Sequence, residues 1–98
     1  MIIVTGSVTA KDGHVDEVER LSVEHVRRSR DEPGCLLHSV HRDVEDARRF
    51  VFVEHWADRE ALLTHFGVPA SRRFVDAATA LATEVPSIAV FTAEPLAL

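Results

Sequence analysis

Six histidines among 98 residues are the first side chains in this sequence that could do chemistry, either as metal ligands or as bases near neutral pH. Spacing tests the metal reading. His38 and His41 stand three apart on a segment that reads as a strand, and an odd interval sends two side chains to opposite faces of a sheet. No H-E-x-x-H occurs and no two histidines stand four apart, so no helix offers a local chelating pair. Only a site assembled from distant segments escapes this test, and the expectation is that the protein holds no metal. Asp43, Glu45 and Asp46 are close together but lack the length and alternation of a calcium loop, and they read as a solvated turn. Gly6, Gly13, Gly34 and Gly67 are too scattered for a phosphate-binding loop, so no nucleotide cofactor is expected. No G-x-S-x-G elbow is present, and Cys35 has no adjacent basic residue to stabilise a thiolate. It reads as a small buried hydrophobe.

A different set of polar residues falls on the inward side of the expected elements. On a helical wheel, Ser22, His25 and Ser29 share an arc with Val15, Val18, Leu21 and Val26. His65 falls on an inward stripe with Ala61, Leu62 and Phe66, and Glu54 shares the strand parity of Phe50, Phe52 and Trp56. His38 can join them. Burying an unpartnered polar group costs a few kcal/mol, so this many on one presumed core side imply a cavity that admits solvent or ligand. Each also has a plain packing reading. A helix serine can bond the carbonyl four residues back, a half-buried histidine can be satisfied locally, Trp56 can be core, and Glu54 can pair with an arginine. Arg72 and Arg73 could meet an anionic ligand at the mouth of such a cavity, or be a solvated helix face.

The elements that must position these groups follow from periodicity. Residues 2–10 alternate as a half-buried strand, and Lys11-Asp12-Gly13 is a turn. A helix then runs to about residue 31, where Glu32-Pro33-Gly34 stops it. Residues 35–42 and 48–56 read as two strands of an antiparallel hairpin joined through residues 43–47. Asp58 is placed to cap a helix that Gly67-Val68-Pro69 interrupts, and a further helical stretch from about Ser71 to Glu84 presents Phe74, Ala77, Ala78 and Leu81 until Pro86 ends it. Residues 87–93 form the last strand. The order βαββαβ predicts one α+β domain over residues 1–98 with a ferredoxin-like fold, a four-stranded antiparallel sheet with helices on one face. Val51 and Val53 make the other parity of the third strand apolar as well. The uncovered sheet face is therefore expected to pack on a second copy, giving a homodimer.

Composition narrows the partners. Eleven basic against sixteen acidic residues leave a net charge of −5, which argues against nucleic acid or an anionic membrane surface. One cysteine excludes an internal disulfide framework. There is no basic leader and no run of apolar residues long enough to span a bilayer. A cytoplasmic location is expected.

The residues Glu32-Pro33-Gly34-Cys35-Leu36, the hairpin from Arg42-Asp43 to Arg49-Phe50-Val51-Phe52-Val53-Glu54-His55-Trp56, and Ala61-Leu62-Leu63-Thr64-His65-Phe66 followed by Pro69 and Phe74 resemble the antibiotic biosynthesis monooxygenase (ABM) family. That family includes small quinol monooxygenases. The resemblance spans nearly the whole chain, and E-x-W followed by a helical A-L-x-x-H is its most specific part. It implies a dimeric α/β barrel that can oxidise phenols or quinols with dioxygen and no metal, flavin or nicotinamide. In such chemistry the substrate supplies the electrons. His65 would be the base, because an ordinary imidazole pKa near 6.5 leaves much of it neutral at pH 7. Trp56 and Phe66 would be aromatic walls, His38 or Arg72 donors to a developing oxyanion, and Glu54, His25 and Ser22 further contacts to a small aromatic substrate. The chain departs from its resemblance in five respects. Phe52 and Leu62 stand where aromatic-polyketide oxygenases carry asparagine and tyrosine, and Ala70 stands where several quinol-type relatives carry a second histidine. Gly6 lies near the asparagine of the haem-degrading branch, and no histidine follows His65, so haem is disfavoured. Fold alone does not fix chemistry, and two other functions stay open. One is a non-catalytic dimeric module that binds a small hydrophobic molecule; the other is an isomerase or cyclase that uses His65 without consuming oxygen.

Overall fold

The computed structural model describes residues 1–98 and places seven elements in the order β1 (Ile2–Thr9), α1 (Val15–Ser29), β2 (Cys35–Asp43), β3 (Asp46–Trp56), α2 (Arg59–Gly67), α3 (Pro69–Ala80) and β4 (Ser87–Thr92). The four strands form one antiparallel sheet in the order β2-β3-β1-β4. This is the ferredoxin-like α+β fold expected from the alternating periods.

Even-numbered residues of β1 and β3 face the helices, and their apolar members Val4, Val8, Phe50, Phe52 and Trp56 are buried. Register explains which polar groups join them. His38 pairs with Glu54, Val40 with Phe52 and Val4 with Glu54, so the period-two alternation carries His38 and Glu54 to the helical side together. α1 buries Val18, Ser22, His25, Val26 and Ser29 against this face. Asp58 caps α2 by accepting from the Ala61 N–H at 2.8 Å.

Several element boundaries differ from the sequence expectation. β2 and β3 run past the expected connection and leave only Val44 and Glu45 between them. Asp43 accepts from the Glu45 N–H at 2.8 Å and pairs with Arg49 at 3.0 Å, so polar residues that read as loop extend the ladder. α3 begins at Pro69, with the proline in the first turn where its missing N–H costs nothing. It ends at Ala80, not near Glu84, because the chain turns extended to bond β1. The Thr83 N–H donates to the Thr9 carbonyl at 2.9 Å, and Ala82 bridges Ala10.

Gly34 is required at the entry to β2. Its φ is +80°, and a Cβ there would lie 2.6 Å from the Ala61 Cβ of α2. The Gly34 carbonyl accepts from the Ala57 N–H at 2.8 Å. This close approach holds the start of α2 against the α1–β2 turn.

The apolar core falls into two parts. One contains Val8, Ala10, Val18, Val26, Phe50, Phe52 and Ala82; the other contains Val4, Trp56 and Leu62. Along β3, Phe52 belongs to the first and Trp56 to the second, with Glu54 between them. The division is where the polar groups lie.

Candidate active site

Beside this division the helical layer stands away from the sheet and leaves a cavity of about 530 Å³. Its floor is Val4, Gly6 and Val8 of β1 with Phe52 and Glu54 of β3. α3 supplies a wall through Ser71, Arg72, Phe74 and Val75, and Val85 to Ile88 form the rim toward β4. Gly6 has no side chain, so the floor is bare backbone at that point. Ile88 and Val90 pair with Gly6 and Val4, yet they remain 61% and 49% exposed. No helix covers them, and the cavity opens on that edge.

At the inner end, three elements each contribute a buried histidine: His25 from α1, His38 from β2 and His65 from α2. One ring nitrogen from each lies within 4.8 Å of the others. The rings approach edge-on or tilted, with His38 and His65 centroids 5.4 Å apart and those of His25 and His38 5.2 Å apart. The opposite face of His25 stacks on Phe74 at 4.2 Å.

Carboxylates surround the cluster. Glu32 Oε1 lies 2.8 Å from His65 Nδ1, so in the neutral ring Nδ1–H donates to Glu32 and the lone pair is on Nε2. Glu54 Oε1 accepts from the Trp56 indole N–H at 2.9 Å and lies 3.3 Å from His38 Nε2 and 3.8 Å from His65 Nε2. The His38 approach is too oblique for a directed hydrogen bond, and neither nitrogen of this buried ring has a hydrogen-bond partner. Desolvation opposes ionisation of Glu54, but the imidazole beside it and the indole N–H together outweigh burial, and its carboxyl is lowered below the ordinary range. His25 is lowered to about 3, chiefly by burial and then by repulsion from His38, His65 and Arg28. It is neutral at physiological pH, and Arg28 Nη2 donates to its Nδ1 at 2.6 Å.

The structure divides the sequence candidates into two layers. His25, Glu54, His65, Phe66 and Arg72 line the cavity. His38 stands behind them, against the Glu54 carboxylate. Trp56, expected as an aromatic wall, is fully buried and does not reach the cavity surface; its ring lies 4.6 Å from that of His65 and its N–H orients Glu54. Ser22 is also away from the lining, with its buried Oγ unpartnered, whereas Ser29 bonds back to the His25 carbonyl at 2.7 Å. Cys35, expected buried, is half-buried at the edge of the Trp56 cluster. Sequence reasoning missed Glu32, which it assigned only to the helix stop. An inward histidine needs a partner for its second nitrogen, and that requirement was the available signal. It also missed that the three histidines meet, because they come from three elements and no local spacing encodes their approach.

Comparison with known proteins gives one consistent relationship. Residues 1–77 match the family described as antibiotic biosynthesis monooxygenase. An uncharacterized Synechocystis protein is 32% identical over 90 residues, which are 92% of this chain and 61% of that protein's length. A Deinococcus radiodurans protein, itself proposed to be an antibiotic biosynthesis monooxygenase, superposes with a TM-score of 0.93 at 29% identity, covering 100% of this chain and 97% of that one. A Pseudomonas aeruginosa protein superposes at 0.86 with 30% identity, over 96% and 94% of the two chains.

Proposed function

Because the chain belongs to the antibiotic biosynthesis monooxygenase family, we propose that it oxidises a small phenol- or quinol-like aromatic with dioxygen, using electrons from the substrate and no cofactor. The observation that carries this reading is His65: a buried imidazole at the inner end of an apolar cavity, with Nδ1 held by Glu32 and Nε2 free of any directed bond. A cavity of about 530 Å³ suits a compact aromatic molecule. The ring would lie over the bare backbone at Gly6, against the edge formed by Phe52 and Phe74, which touch each other with centroids 5.8 Å apart.

His65 Nε2 removes an acidic proton from the bound substrate, and Glu54 faces the imidazolium that forms. The electron-rich anion passes one electron to dioxygen, and the two radicals combine to form the new C–O bond. For a CH2 between aromatic rings, the O–O bond then breaks: one oxygen remains as C=O, and the other leaves as water with the two substrate protons. Arg72, at the cavity wall, stabilises the anion. The open sheet face carries Ile3, Leu37, Val51, Val53 and Phe91, of which Leu37 and Phe91 are well exposed, and this supports a homodimer formed through that face.

Oxygen uptake with a panel of hydroquinones and anthrone-like phenols tests the reaction. Stoichiometric consumption is expected, reduced on the order of 10²–10⁴-fold in His65→Ala with binding retained. Binding without turnover in the wild type would make the protein a binding module. Turnover under anaerobic conditions would make it an isomerase or cyclase.

A further inference from the structure

We propose that His25, His38, His65 and Glu54 form a binding site for a divalent transition-metal ion of the zinc class. The site stands on geometry. Three buried imidazoles from α1, β2 and α2 converge with one nitrogen each inside 4.8 Å, and a carboxylate oxygen lies 3.3 Å from one and 3.8 Å from another. In tetrahedral zinc coordination at about 2.0–2.1 Å, neighbouring ligand atoms stand roughly 3.3 Å apart. Glu54 is already at about that separation from His38, and the imidazoles need to close by about 1.5 Å at most.

A second observation points to a cation. His38 is 2% exposed, and both its ring nitrogens lack a hydrogen-bond partner. Orphaned buried nitrogens cost on the order of 1–3 kcal/mol, and a bound ion would satisfy the one that faces the cluster. The surroundings have the character of an outer coordination shell. Glu32 accepts from His65 Nδ1–H, and Trp56 N–H fixes the Glu54 oxygen, as carboxylates and donors orient ligands around protein-bound zinc. Imidazole nitrogens with one carboxylate favour zinc, cobalt(II), nickel or copper over magnesium or calcium.

One contact opposes the ion. Arg28 can only donate, so its 2.6 Å contact with His25 Nδ1 keeps the His25 proton on Nε2. Coordination through Nε2 needs that proton moved to Nδ1, and Arg28 must swing away for this to happen. Arg28 therefore weakens the site.

The consequence for activity rests on the function proposed above. An ion held by His65 Nε2 takes the lone pair that serves as base, so occupation switches oxygenation off.

Titration of chelator-treated protein with cobalt(II) chloride tests the site without reference to turnover. One equivalent per chain is expected to give the visible ligand-field absorption of four-coordinate cobalt, displaced by zinc. His38→Ala and the more conservative His38→Gln should each weaken binding at least a hundredfold, with circular dichroism confirming their fold. His41→Ala, at an exposed histidine, should leave it unchanged, and Arg28→Met should tighten it about tenfold. No cobalt absorption at millimolar metal, or absorption that survives in a folded His38 variant, overturns the site. Oxygen uptake by the chelated protein is measured separately: activity that zinc abolishes and chelator restores supports the switch, and activity indifferent to bound zinc overturns it. Absent oxygenation with intact cobalt binding would fail the proposed function and leave the metal site standing.

Discussion

Glu32 and His65 are the pair on which the proposed chemistry turns, and each can be altered without touching the cavity wall elsewhere. Glu32→Gln preserves shape but can present an N–H to Nδ1 and so favours the wrong tautomer. kcat with the best phenol of the panel is expected to fall roughly ten- to a hundredfold, with KM little changed. Ser22 supplies a contrasting case. Its Oγ is buried with no partner, so Ser22→Ala is expected to be neutral or to raise stability by about 1 kcal/mol in chemical denaturation. Acid sensitivity follows from the same cluster. The His25 value is lowered from 6.5 to about 3, so between those limits the unfolded chain binds more protons than the folded one. Folding stability should therefore be complete above about pH 6.5 and decline as pH falls. Glu54, lowered from 4.5, adds to the loss below that value. Denaturation midpoints across pH 4–8 check the slope, and His25→Phe, which retains the stack on Phe74, should flatten it. These inward residues were legible in the sequence because helical phase and strand parity show which side chains turn in. Their mutual distances were not, since three-dimensional approach depends on how far apart the layers settle.

Among the elements, the α1–β2 turn and the start of α2 are locked at Gly34. Gly34→Ala meets both a positive φ and the Ala61 side chain, and a loss of about 1–3 kcal/mol is expected, read as a lower denaturation midpoint. Because Glu32 sits two residues before this point, the variant should also lower turnover in the fraction that stays folded. The sequence showed the helix stop here, through proline and glycine, but not that the glycine serves as a seat for another helix. It also marked the end of α3 wrongly. Leu81 and Ala82 continue a plausible helical face, yet the unpaired backbone at the end of β1 offers Thr83 a hydrogen bond, and tertiary pairing outweighs local propensity.

At the scale of the whole molecule, the principal extents are 42 × 35 × 20 Å. A sheet and one helical layer account for the short dimension, since packed layers lie about 10 Å apart. Nothing in the chain covers the far side of the sheet, and the apolar residues there follow from the double-sided pattern of β3. Val53→Asp puts a charge at the centre of that face. Light scattering is expected to report a dimer for the wild type and a monomer for this variant; a wild-type monomer would remove the basis for association through the sheet. The overall topology was readable from alternating periods because each strand and helix declares itself locally. One buried side chain then has a use for the entire molecule. The chain has a single tryptophan and no tyrosine, and that indole is sealed from water beside His65. Intrinsic fluorescence therefore comes from one spot, should be blue-shifted in the native state, and should dim whenever the neighbouring imidazole acquires positive charge. Ligand entry, acidification and unfolding can each be followed through it without attaching a dye.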